Sequence, residues 1–67
     1  MDILKQLGKR VREVRINKHM SQGDLAKILS VRPSYISGIE RGTENMSLIK
    51  IEQLAKALGV NINKLIK

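Results

Sequence analysis

Apolar residues recur along this 67-residue chain with the period of a helix, and no segment alternates with period two for long. The first stretch shows the pattern most clearly, because its apolar residues fall on one helical stripe: Leu4, Leu7, Val11 and Val14. Strands with one buried face need period-two patterning instead. The sequence therefore predicts an all-α protein whose first helix ends around residues 17–19.

Capping residues separate the next two helices. Ser21 and Asp24 form an aspartate version of the capping box, which predicts a second helix over about residues 22–29. Pro33 favours the first position of a helix, and the residue before a proline is pushed away from helical geometry. We therefore expect a third helix over residues 33–41.

Glycine and polar residues mark the remaining boundaries. Gly42 is the expected left-handed stop of the third helix. Ser47 and Gly59 delimit a fourth helix, and Asn61 caps a short fifth helix. The apolar residues of the fourth helix are Leu48, Ile51, Leu54, Ala55 and Leu58. We expect a single compact five-helix domain over residues 1–67.

The second and third helices are joined by about three residues, which is typical of a helix-turn-helix. Ala26 is small where the two helices should cross, and Ile36 and Ile39 face inward from the third helix. A helix-turn-helix places its second helix in the DNA major groove. The polar residues that this arrangement leaves facing outward are Ser34, Ser37 and Arg41.

The charge of the chain points to a polyanionic partner. Thirteen Lys and Arg residues against six Asp and Glu give a net charge of +7 and a pI near 10.3. Nucleic acid is the first candidate for such a partner and an anionic membrane surface the second. The basic residues of the first helix are expected to form a solvated face rather than to contact DNA.

Composition excludes several other classes of function. The chain has no Cys and a single His, so neither thiolate metal sites nor clustered imidazole ligands can form. Its carboxylates form no evident catalytic pair, so we expect no enzyme activity, no metal and no cofactor. One short domain leaves no room for a separate sensor, so no small-molecule ligand is expected. No membrane span or secretory signal is evident, which favours a cytoplasmic protein.

Three motifs carry a family resemblance: SQGDLA at residues 21–26, YISGIERG at residues 35–42 and LAKALGV at residues 54–60. The chain resembles, over about residues 5–66, the Cro and phage-repressor type (XRE) helix-turn-helix family. Within it, the chain is most similar to the controller proteins of restriction–modification systems, with small phage repressors as close competitors. The resemblance implies a lambda-repressor-like fold and a transcriptional regulator, repressor or controller, that binds a palindromic operator in double-stranded DNA as a homodimer.

The resemblance also implies roles for individual residues. The residues implied to read base edges are Arg32, Ser34, Tyr35 and Ser37. Those implied to contact phosphates are Ser21, Gln22, Arg41, Thr43 and Asn45. Arg15 and Glu40 match positions that form an internal ion pair. The residues implied in the dimer interface are Ile62, Leu65 and Ile66.

Three departures from the family pattern bear on DNA readout. Ser30 stands where the family often has glycine at the tight turn, and a left-handed Ser costs on the order of 1 kcal/mol. Pro33 occupies a position of the recognition helix where the family usually has a polar side chain that contacts a base. Gly38 lies on the side expected to approach DNA and offers no side chain. Base contacts should therefore be few, with specificity depending partly on DNA deformability.

Several alternatives remain open from the sequence. Tyr35 could fill the core instead of touching DNA, and Arg15–Glu40 could be an ordinary surface pair. The apolar residues of the last helix could all belong to the monomer core. At the level of the whole protein, the alternatives are an antitoxin-like or other protein-interaction module and a basic RNA-binding domain. The RNA reading is weaker, because single-strand RNA readers usually stack bases on aromatic residues.

Overall fold

The computed structural model describes residues 2–66, and within them the only regular elements are helices. Met1 and Lys67, the ends of the predicted domain, lie outside the described residues. The helices are α1 (Ile3–Asn17), α2 (Gln22–Leu29), α3 (Pro33–Arg41), α4 (Leu48–Leu58) and α5 (Asn63–Ile66). The all-α prediction is confirmed, and the bounds of α2 and α3 are those predicted. None of these helices combines the length and the apolar character needed to cross a membrane.

The helix ends are held by local hydrogen bonds of the kind predicted. Ser21 Oγ accepts a bond from the Asp24 amide, and the Asp24 carboxylate accepts one from the Ser21 amide, both at 2.9 Å. Ser47 Oγ caps α4 by accepting from the Lys50 amide at 3.1 Å. Gly42 and Gly59 end α3 and α4 in the left-handed conformation. These bonds need only neighbouring residues, which is why the sequence indicated them.

The turn between α2 and α3 is built on a left-handed Ser30, with φ of 57°. The next amide, that of Val31, donates to the Ala26 carbonyl at 2.9 Å and closes the end of α2. Arg32 is extended, and Pro33 then occupies the first turn of α3. A left-handed Ser is disfavoured by about 1–2 kcal/mol, so this turn depends on the packing of the two helices that flank it.

The hydrophobic core takes buried side chains from all five helices of the described chain: Leu7, Val11, Leu25, Ala26, Ile36, Ile39, Ile51, Leu54, Ala55, Leu58 and Leu65. Leu65 anchors α5, and Arg10 of α1 donates to the Leu65 carbonyl at 3.4 Å. Leu48 does not belong to this core: as the first residue of α4 it is 66% exposed. The other apolar residues predicted on this helix, Ile51, Leu54, Ala55 and Leu58, are buried.

α1 crosses the C-terminal half of α3 at unusually close range. A Cβ added at Gly8 would overlap the carbonyl oxygen of Ile39 and lie 2.6 Å from that of Glu40. A Cβ at Gly42 would lie 2.8 Å from the Cα of Lys5. The absence of side chains at both glycines lets the two helices touch through their backbones. This contact sets which face of α3 is covered.

We expect Gly8→Ala to destabilise the fold by about 1–3 kcal/mol, the usual cost of overpacking, because backbone atoms on both helices would have to move. Gly23→Ala is the matched control, since a Cβ there meets only Ser21 Oγ at 3.6 Å. The control should be neutral or gain up to about 1 kcal/mol from helix propensity. Urea unfolding of both variants measures the difference, and equal stabilities would contradict the close contact.

Candidate nucleic-acid interface

The outward face of α3 is polar and short. Ser34 and Arg41 are exposed and Ser37 is half-buried, while Ile36 and Ile39 on the opposite face are buried. This division follows from the helical period, which places residues three and four apart on one side. The structure therefore brings three predicted DNA-contacting residues onto one surface.

Arg32 stands at the N-terminal end of this face, as the N-cap of α3. It is exposed, and none of residues 2–66 gives its guanidinium a hydrogen-bond or ion-pair partner. A cation at a helix N-terminus meets the positive end of the helix dipole. The Arg32 charge therefore adds no stabilising interaction within the fold, and its hydrogen-bond donors remain available for an external acceptor.

The other end of the face carries Arg41. Its Nε donates to the Ser37 carbonyl of the same helix at 3.3 Å, which holds the side chain along α3. A guanidinium has five N–H donors, so most of its donors remain free.

The N-terminus of α2 presents Ser21 and Gln22. The capping box occupies the Ser21 side chain, and the hydrogen bonds from Ser21 lower the pKa of Asp24. The amides of Gln22 and Gly23, in the first turn, have no intrahelical acceptor. Gln22 Nε2 donates one hydrogen to Glu40 at 3.1 Å and keeps a second hydrogen free.

Arg15 and Glu40 form a two-pronged ion pair between α1 and α3. Arg15 Nε donates to Glu40 Oε2 at 2.6 Å, and Nη2 donates to Oε1 at 3.0 Å. Arg15 Nη1 also donates to the Met20 carbonyl at 2.8 Å. The two side chains are only 10% and 4% exposed, so this is not the ordinary surface pair of the alternative reading. The bond to Glu40 raises the pKa of the Arg15 guanidinium.

After Gly42 the chain turns back along α3 and places Thr43 and Asn45 beside it. The Thr43 amide and hydroxyl both donate to the Gly38 carbonyl, at 2.9 and 3.1 Å. Thr43 and Asn45 are exposed. Gly38 itself is buried, because Thr43 and Glu44 cover it. Gly38 offers no side chain on this side of α3, as expected, and the loop after α3 covers it.

Tyr35 lies at the edge of the same surface and is half-buried. Its ring packs against the core, and its hydroxyl lies 3.8 Å from Met46 Sδ. The core-filling alternative therefore describes part of its role. Contact between its exposed edge and DNA stays a prediction.

The predicted dimer residues differ widely in exposure. Leu65 is 1% exposed and belongs to the monomer core, so its side chain is not available to a partner. Ile62 is half-buried, and Ile66 is 48% exposed. Two further apolar residues, Leu48 and Ile49 at the start of α4, are 66% and 72% exposed. Helical periodicity could have indicated Ile49, which lies opposite the buried stripe of α4.

Several known proteins are similar to this chain in sequence and in fold. A helix-turn-helix family profile matches residues 11–65. Control protein C.BamHI of Bacillus amyloliquefaciens is 52% identical over 54 residues, which are 79% of this chain and 67% of that protein. The restriction–modification controller protein C.AhdI from Aeromonas hydrophila has 42% identity and a TM-score of 0.86, covering 92% of this chain and 94% of that one. The C.Esp1396I tetramer, solved with its natural 35 base-pair operator, has 29% identity and a TM-score of 0.82, covering 100% and 99%.

The buried ion pair gives a stability prediction. Glu40→Leu should cost about 3–5 kcal/mol, because it leaves the Arg15 charge buried without its partner. Adding Arg15→Met should recover most of this loss, since the double variant buries no charge. Denaturant unfolding of the two single variants and the double variant measures the coupling. Additive losses would show that the two charges do not depend on each other.

Proposed function

We propose that this chain, which belongs to the helix-turn-helix family, is a transcriptional regulator. It binds specific DNA sequences and is of the restriction–modification controller type. The observation that carries the proposal is the outward face of α3, where Arg32, Ser34 and Ser37 share one surface while α1 covers the other side. Because its outward side is exposed, α3 can enter the major groove without any change in the packing of the other helices. The same fold in C.Esp1396I was solved on operator DNA.

In the proposed complex, α3 lies in the major groove and its N-terminal half reads bases. The Arg32 guanidinium can donate two parallel hydrogen bonds to guanine O6 and N7, a contact worth about 1–3 kcal/mol of discrimination. Ser34 and Ser37 offer hydroxyls that suit several base edges. Tyr35 lies at the edge of this face, and its exposed edge contacts a base from there.

Phosphate contacts flank the reading helix on both sides. On one side lie Ser21, Gln22 and the free amides of the first turn of α2, where the helix dipole favours an anion. On the other side lie Arg41, Thr43 and Asn45, near the end of α3. Contacts to phosphates set the position of the protein but carry no sequence information directly.

We propose that the protein binds as a homodimer, with half-sites about 34–36 Å apart on a palindromic operator. Of the residues predicted for the dimer interface, Leu65 is buried, which leaves Ile62 and Ile66. The start of α4 is a better candidate, because Leu48 and Ile49 are adjacent and largely exposed. Glu52 and Lys56 line the same shallow groove. A two-fold contact could pair these opposite charges across the seam.

The remaining expectations belong to the same proposal. The protein acts as one helix-turn-helix domain over residues 1–67, in the cytoplasm, with neither membrane attachment nor enzyme activity. It needs no metal, cofactor or small-molecule ligand. Its regulatory response would then follow its own concentration through the dimer equilibrium.

Two substitutions separate base reading from phosphate contact. Arg32→Ala should cost about 1–3 kcal/mol on the operator and relax the preference at one base pair per half-site. Gln22→Ala should weaken binding to all sequences alike. Binding to an operator and to single-base variants of it measures both effects, with thermal unfolding as the control for folding. If Arg32→Ala keeps every base preference, its assigned role is wrong.

Salt dependence tests DNA binding itself. Log affinity should fall linearly with log salt concentration, at about −0.9 per phosphate contacted, because bound cations are released from the DNA. A response that is flat in salt would contradict the proposal.

The dimer surface is tested by placing a charge on each candidate. Ile49→Lys should shift the protein from dimer to monomer in sedimentation, because it buries a cation in the proposed seam. Ile66→Lys, the same change on α5, is the matched comparison and should leave the dimer largely intact. If instead Ile66→Lys gives monomers and Ile49→Lys does not, the dimer interface lies on α5 and the proposal for α4 is wrong.

A further inference from the structure

Glu44 occupies the space that a side chain at position 38 would fill. Measured from a Cβ built on Gly38, the Glu44 Cγ lies at 2.9 Å and its carboxylate oxygen Oε2 at 3.0 Å. The acidic side chain is therefore laid against the middle of α3. Gly38 follows Ser34 by four residues, so the two positions are neighbours on one side of the helix.

This placement is not explained by an internal ion pair. Arg15–Glu40 is the one salt bridge found within residues 2–66. The Glu44 carboxylate accepts no hydrogen bond from the part of the chain that the structure describes. In a chain of net charge +7, a half-buried carboxylate without a cationic partner keeps all of its acceptor capacity for an external donor.

The surroundings of Glu44 offer little else to a base edge. Pro33 has no polar side-chain atom, Gly38 has no side chain, and Ser34 and Ser37 are short. The side chain of Glu44 occupies the space beside Gly38, where a longer side chain on α3 could otherwise contact a base. It approaches from the loop after α3, in which Thr43 and Asn45 are predicted to contact phosphates.

We propose that Glu44 is a specificity-determining residue that accepts a hydrogen bond from the N4 amino group of a cytosine in the major groove, beside the Ser34 contact. This inference rests on the proposed function. An ionised carboxylate only accepts hydrogen bonds, and cytosine presents a donor at this edge of the base pair. Guanine and thymine present acceptors there and are repelled, while adenine places its N7 acceptor next to its N6 donor and is therefore less favourable for a carboxylate. Phosphates repel the carboxylate as well, so Glu44 adds selection rather than general affinity.

The test begins with sites selected by the wild-type protein from a randomised double-stranded oligonucleotide pool. We expect one cytosine per half-site whose replacement weakens wild-type binding by roughly tenfold. Glu44→Gln should abolish this preference and keep the others, because an amide can both donate and accept. Glu13→Gln, an equal loss of charge on the exposed side of α1, should leave every preference unchanged.

Gly38→Ala provides a second variant that leaves the carboxylate in the chain. The added Cβ would lie 2.9 Å from Glu44 Cγ and 3.3 Å from Thr43 Oγ1, so the whole Glu44 side chain has to turn away. Thermal unfolding checks that the fold survives this rearrangement. We expect the same loss of cytosine preference as in Glu44→Gln. A preference kept in Gly38→Ala would contradict the positioning of Glu44 by this glycine.

The outcomes separate this inference from the function on which it rests. If Glu44→Gln raises affinity for all sequences alike, as removal of any nearby negative charge would, the specificity role is overturned while DNA binding stands. If the wild-type protein selects no sequence at all, both the function and the inference are overturned.

Discussion

The buried ion pair between Arg15 and Glu40 is the interaction on which the rest of the structure depends. It joins α1 to α3, and its remaining hydrogen bonds extend to the Met20 carbonyl and to Gln22 at the start of α2. Burying two charges is favourable only when their hydrogen bonds are well satisfied. The Met20 carbonyl and the Gln22 side chain therefore have to reach the pair together, which couples the orientation of both helices of the helix-turn-helix to α1.

The close crossing of α1 and α3 decides which face of α3 is free. Gly8 and Gly42 let the backbones approach, so α1 covers the side that contains Glu40. The outward side is then occupied by serines, with Arg32 and Arg41 at its two ends. Bulk charge is consequently a weak guide to the DNA surface, since Arg15, one of the cations of α1, is buried and paired. The unpaired Arg32 is more informative than the net charge.

The family and the fold class could be predicted from the sequence, and both predictions are confirmed. Helix bounds were predictable because caps such as Ser21, Pro33 and Gly42 act on neighbouring residues. The roles assigned to DNA-contacting residues stay predictions. The position of Glu44 over Gly38 could not be predicted, because no local pattern shows that a loop residue will lie over a glycine of the preceding helix.

The sequence by itself determined where each helix begins and ends, and it paired α2 with α3 through a short turn. Only the tertiary structure decided which apolar residues are buried. Leu65 and Leu48 both lie on predicted apolar stripes, yet Leu65 is enclosed by its neighbours and Leu48 is exposed at the first residue of α4. Periodicity reports which side of a helix a residue is on. Burial also requires another element opposite that residue, and this depends on how the helices pack.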